Sequence, residues 1–187
     1  PVQEAIGKYV AEMIPDGATL QIGYGGIPDA VVMQLTDKHD LGIHTEMVGD
    51  GIMTLVEAGV VTNRKKNYHP GKMLATFALG SKKLYQFMHR NPAIEMHAVD
   101  FTNDPYLAGK NDNLHAINAT MQIDFMGQCG SESLGFAPYS GTGGQADFVR
   151  AANRSNGGKA FIVLPSTAKN DTISRIVPTL SAGTHVT

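Results

Sequence analysis

The chain has one cysteine, Cys129, in 187 residues. No intrachain disulfide can form, and a reducing, cytoplasmic compartment fits that count. Basic runs are also missing: none is longer than Arg64-Lys65-Lys66, and the formal net charge is -2. That balance gives no nucleic-acid-binding face. Long apolar runs are absent, so neither a bilayer-spanning segment nor a signal peptide is read, and no membrane partner is expected. Charged residues make up only 17%. Glycine is abundant instead, with 21 copies beside a hydrophobic share of 42%. This composition suits one α/β domain with a real core and many tight turns.

Apolar periodicity divides the chain into alternating elements. "PVQEAIGKYVAEMI" reads as a helix with Ile6, Val10 and Met13 on one stripe. "DGATLQIG" reads as turn then strand, and "GYGGIPDAVVMQL" as a glycine turn feeding a helix. "LGIHTEMV" is a strand, Gly51–Val61 a short helix with its exit, and Met73–Leu79 another strand. Ser81 caps a helix over "SKKLYQFMHR", and "IEMHAV" follows as a strand. "TNDPY" signals a turn, and "NLHAINATMQID" is a weaker strand. "GQCGSESLGFAPYSGTGG" is a long loop or hairpin before the helix "QADFVRAANRS". "KAFIVLPS" and "TISRIVPTL" read as strands, and "GTHVT" as the start of one more. The alternation predicts a largely parallel, mixed sheet with helices on both faces. An end inside a strand predicts that the chain is a fragment of a longer protein.

Two features carry chemistry. The first is a pair of glycine turns that open helices, "GYGGIPDA" and "GTGGQADF". Such turns present backbone N–H groups to an anion, or serve only as tight strand-to-helix turns. The dinucleotide fingerprint fails at the first turn because Pro28 holds the third glycine position, and the P-loop pattern lacks its Lys-Ser/Thr pair. The second is Glu46, a carboxylate inside an apolar strand, which costs free energy unless something compensates it. It is either paired or solvated at a strand end, or it faces a ligand crevice with the first glycine turn. Among seven histidines no metal-binding spacing occurs, so no metal site is expected. Cys129 is a buried filler or a nucleophile with no histidine tied to it; Ser131, Glu132 and Ser133 edge a pocket or a solvated turn.

In order, "LQIGYGGIPDAV", "GIHTEMVGDGIMTLVEAG", "TNDP", "GQCGSES" and "SGTGGQADFVRAA" resemble the carboxyl-terminal half of the acetyl-CoA hydrolase/transferase family. Within it the likeness is to 4-hydroxybutyrate CoA-transferases. The resemblance implies a CoA-transferase-like domain over residues 1–187, without the amino-terminal domain and the extreme carboxyl-terminal segment. It implies Glu46 as the nucleophile. It also implies oxyanion and CoA contacts at Tyr24, Gly25, Gly26, Asn103, Gly143 and Gly144. Coenzyme A is then a substrate rather than a bound cofactor. The partners are acyl-CoA, a short-chain carboxylate, the missing domain and a second copy of the chain, in a homo-oligomer such as a dimer. Three rival readings remain: an acetyl-CoA hydrolase with the same nucleophile, a non-catalytic domain that binds a phosphorylated ligand at the glycine turns, and a purely structural domain of a larger assembly.

Overall fold

The computed structural model describes residues 1–187. Helix α1 (Val2–Glu12) leads into β1 (Thr19–Ile22), and α2 (Gly26–Met33) into β2 (Gly42–Ile43) and β3 (Met47–Val48). Then come α3 (Asp50–Glu57), β4 (Met73–Ala75), β5 (Phe77–Ala78), α4 (Lys82–Met88) and β6 (Ile94–Met96). Two short helices, α5 (Val99–Thr102) and α6 (Pro105–Ala108), precede β7 (Leu114–Ala119). A strand-rich arm follows: β8 (Gln122–Asp124), β9 (Cys129–Gly130), β10 (Ser133–Leu134) and β11 (Ala137–Pro138). Helix α7 (Gln145–Arg154) and β12 (Lys159–Val163) return to the main sheet. The chain closes with β13 (Thr167–Ala168), β14 (Ile173–Ser174) and β15 (Ile176–Val177).

The main sheet is wholly parallel, in the order β12-β7-β1-β2. A single parallel bridge, His44 to Leu74, continues it towards β4 and β6. β1 lies between two neighbours and all four of its residues are buried, so it reads as a continuous run rather than an alternation. Side chains of β7 alternate between two cores. Ile117 joins the larger core with Leu20, Ile22, Val31 and Ile43. Leu114 and Ala116 pack on the other face against Phe148, Ala151 and Ala152 of α7. Helices therefore cover both faces. The antiparallel pairs belong to the arm and tail: β8 with β9, β10 with β11, and β13 with β14.

Several expected elements differ. Met13 is exposed, not part of the α1 stripe. The buried face instead carries Gly7, Val10 and Ala11, because a methyl at Gly7 would stand 2.7 Å from the Ala30 carbonyl oxygen. Only glycine lets α1 approach α2 so closely. "TNDPY" is not a simple turn: it ends α5 and starts α6, whose N-terminus Asp104 caps by accepting from the Tyr106 and Leu107 N–H groups. Pro105 at the first helical position is pre-set for that role. "TISRIVPTL" splits into two two-residue strands, and "GTHVT" forms no strand. No helix is long and apolar enough to cross a membrane.

Candidate active site

Glu46 does not sit within a regular strand. β2 ends at Ile43 and β3 begins at Met47, and the chain breaks its ladder between them. At the break the Glu46 carbonyl accepts from both Thr76 and Phe77 N–H, at 2.9 and 3.1 Å. The partner strand is split at the same point into β4 and β5, so Met73–Leu79 is two pieces. This shared kink re-aims the Glu46 side chain into a crevice at the carboxyl ends of the parallel strands. Thr45 secures the kink from the other side, bonding both the N–H and the carbonyl of Ile22.

The crevice has a volume of about 360 Å³. Gly23 and Tyr24 border it after β1, Glu46 and Met47 at the kink, and Gly143 and Gly144 before α7. Its floor holds a reciprocal amide pair: Gln21 Nε2 donates to Asn118 Oδ1 at 3.1 Å, and Asn118 Nδ2 to Gln21 Oε1 at 2.8 Å. The half-buried Glu46 carboxylate accepts from Asn103 Nδ2 at 2.7 Å. Gly144 lies against both groups: a methyl there would collide with Glu46 Oε2 and with Asn103 Nδ2. The N–H groups of Tyr24, Gly143 and Gly144 have no backbone acceptor.

Of the residues singled out from the sequence, Tyr24, Glu46, Asn103, Gly143 and Gly144 gather at this crevice. Gly25 and Gly26 do not line it. Gly25 holds φ at 130°, which favours glycine, and Gly26 packs on the Gln3 side chain of α1. Both shape the turn rather than the crevice wall. Ser131 and Glu132 border the crevice, and Ser131 Oγ lies 2.9 Å from Gln145 Oε1. Ser133 instead accepts from the His185 N–H. Cys129 is buried, and burial raises its thiol pKa above the usual range, which disfavours the nucleophilic thiolate. Sequence reading missed Gln21, Asn118 and Gln145. The signal for Gln21 was the one that exposed Glu46: a polar side chain in an apolar strand.

His44 supports Asn103 from behind. Its Nε2 lies 2.8 Å from the Thr102 carbonyl oxygen and its Nδ1 3.3 Å from Asn111 Nδ2. The neutral imidazole satisfies both, donating to Thr102 and accepting from Asn111. Burial lowers its pKa from 6.5 to about 4, although the Thr102 bond opposes the shift and Lys66, His69 and His97 add to it. The folded value lies below the unfolded one, so the unfolded chain takes up the proton first as pH falls. Stability from neutral His44 is thus full above about pH 6.5 and lost between about 6.5 and 4. We expect wild type to lose on the order of 2–3 kcal/mol over that window through this group. His44→Gln, which keeps a donor for Thr102, should lose less; urea unfolding at pH 7 and 4.5 measures the difference.

Comparison with known proteins agrees with this architecture. The model of the acetyl-CoA hydrolase/transferase C-terminal domain matches residues 80–187. The chain is 59% identical to the succinyl-CoA:cyclohexane-1-carboxylate CoA transferase of Geobacter metallireducens, over 100% of this chain and 43% of that protein. It is 54% identical to the 4-hydroxybutyrate coenzyme A transferase of Clostridium kluyveri, with the same coverage. The crystal structure of 4-hydroxybutyrate CoA-transferase from Porphyromonas gingivalis superposes with a TM-score of 0.86 at 45% identity, covering 97% of this chain and 43% of that one. The chain thus spans less than half the length of these relatives. With more than half of its residues matched, the chain belongs to the acetyl-CoA hydrolase/transferase family, whose C-terminal domain accounts for residues 80–187.

Proposed function

We propose that the chain supplies the nucleophile of an acyl-CoA:carboxylate CoA-transferase acting on short acids such as acetate, butyrate or 4-hydroxybutyrate. The observation that carries the reading is the Glu46 carboxylate, aimed into the crevice by the strand break and held by Asn103. A Glu46 oxygen attacks the thioester carbonyl carbon. The tetrahedral oxyanion collapses, the C–S bond breaks, and an acyl-glutamyl anhydride and CoA thiolate result. The thiolate then attacks the glutamyl carbonyl and displaces the first acid as its carboxylate, leaving a glutamyl-CoA thioester. An incoming carboxylate reverses the sequence and leaves as its own CoA thioester. Dividing the exchange this way replaces one hard step with easier ones.

Each tetrahedral intermediate needs donors aimed at its oxygen. The backbone N–H groups of Tyr24 and of Gly143 or Gly144 suit that role, being free of backbone acceptors at the crevice edge. Asn103 orients the Glu46 carboxylate. Transfer is preferred to hydrolysis because the relatives compared above are named transferases. The remainder of a full-length protein completes the crevice, and Phe125, Met126, Phe136 and Tyr139, exposed on the arm, suit an apolar docking face.

Intact-mass and peptide mass spectrometry after incubation with acyl-CoA tests the reading. A CoA adduct on Glu46, discharged by butyrate or 4-hydroxybutyrate with formation of the new thioester, is the expected result. Discharge by water alone would indicate a hydrolase. Turnover with no adduct under rapid quenching would remove Glu46 from the mechanism.

A further inference from the structure

Away from the crevice, three side chains converge, one of them from a distant loop. Glu95 in β6 and His97 just after it are two residues apart and share one side of the strand. His69 arrives from the loop between α3 and β4. That loop clasps β2: Asn63 Oδ1 accepts from the Ile43 N–H, and Lys66 Nζ donates to the Ile43 carbonyl. His69 Nδ1 lies 2.6 Å from Glu95 Oε2, and His97 Nε2 lies 3.3 Å from the same oxygen. The three ligand atoms all fall within 4.8 Å of one another.

We propose that His69, Glu95 and His97 form a binding site for a divalent transition-metal ion of the zinc type. Bonds of about 2.0–2.2 Å in a tetrahedral shell place neighbouring ligand atoms roughly 3.3 Å apart, so modest side-chain movement admits the ion. Two imidazoles and one carboxylate leave a fourth position for water. Each side chain is about 30% exposed, which gives the ion a path from solvent. Imidazole nitrogen favours zinc, cobalt or nickel over magnesium and calcium, which prefer oxygen ligands. The rings are also pre-set. His97 stacks on Phe101 at 4.3 Å between centroids, and His69 meets Tyr68 edge-on at 4.5 Å. Binding displaces any protons shared within the cluster, so affinity falls as pH drops. Through Phe101 the ion would brace α5, whose C-cap is Asn103. The site does not depend on the transferase reading.

The test is calorimetric titration of chelator-stripped intact protein with zinc chloride, alongside thermal unfolding. One equivalent should bind per chain at this site. At a hundredfold excess over Kd the unfolding midpoint should rise by about 5–10 °C. His69→Asn and Glu95→Gln should each weaken binding at least tenfold; asparagine is chosen because position 69 has φ 50°, which it tolerates. Cobalt(II) bound to wild type should show the intense visible bands of a four- or five-coordinate ion, a readout that needs no variant. Absence of saturable binding, affinity unchanged in both variants, or only the pale spectrum of the hydrated cobalt ion would overturn the proposal.

Discussion

Glu46→Gln should lower the rate of CoA transfer by about 10⁴-fold or more in the intact protein, with no change in fold. The amide is nearly isosteric with the carboxylate but is a very poor nucleophile towards a thioester. Asn103 keeps its bond in this variant, because the carbonyl oxygen of the new side-chain amide still accepts from Nδ2. Glu46→Asp should also fail. Its shorter arm withdraws the carboxylate by about one methylene, and about 1 Å of misplacement can cost 10²-fold. Acyl-CoA affinity should change little in either variant, since the proposed nucleophile contributes little to holding the nucleotide part. Steady-state rates and acyl-CoA binding, on protein whose thermal unfolding matches wild type, measure the effect. Near-normal turnover by well-folded Glu46→Gln would end the covalent proposal.

The next largest effect is expected at Gly144, through space alone. Its φ of -81° and ψ of 5° are open to alanine, so the backbone should not object. The added methyl, however, would occupy the position of Glu46 Oε2 and press on Asn103 Nδ2 and Phe148. The carboxylate must move, and an activity loss of about 10²-fold or greater follows if it shifts by about 1 Å. Gly49→Ala is the matched control, because its methyl meets nothing closer than the Leu79 carbonyl oxygen at 3.9 Å. The two variants should differ widely in kcat and little in thermal midpoint. Equal activities would mean that the close packing around Glu46 has no catalytic consequence.

Much of this arrangement was readable from local signals. Apolar runs gave the parallel strands, the serine at position 81 caps α4 as its type predicts, and "QADFVRAANRS" forms α7. Glu46 stood out because a charge in an apolar strand demands an explanation. What local pattern could not supply was the break at that residue. It arises from two strands kinking together, with the Glu46 carbonyl serving two N–H groups of a distant segment. The Asn103 contact spans 57 positions and the Gln21–Asn118 pair 97, distances at which periodicity says nothing. The His69, Glu95 and His97 cluster escaped for the same reason. "TNDPY" was misread because Asp-Pro signals both a turn and the first turn of a helix, and only the following residues choose between them.

The all-parallel central sheet also bears on how the protein comes into being. No pair of its strands is joined by a hairpin. β1 pairs with β2 and with β7, and β7 in turn with β12, so each ladder closes a large loop of chain. Loop-closure entropy must be met before such pairings return free energy, and chains of this kind fold slowly. During synthesis β1 lacks one of its flanking strands until β7 has emerged. Glu46 lacks its cover until Gly144 and α7 follow. The Glu46 crevice is therefore among the last features to assemble, and a chain stopped short of α7 would expose an apolar sheet face suited to chaperones or aggregation.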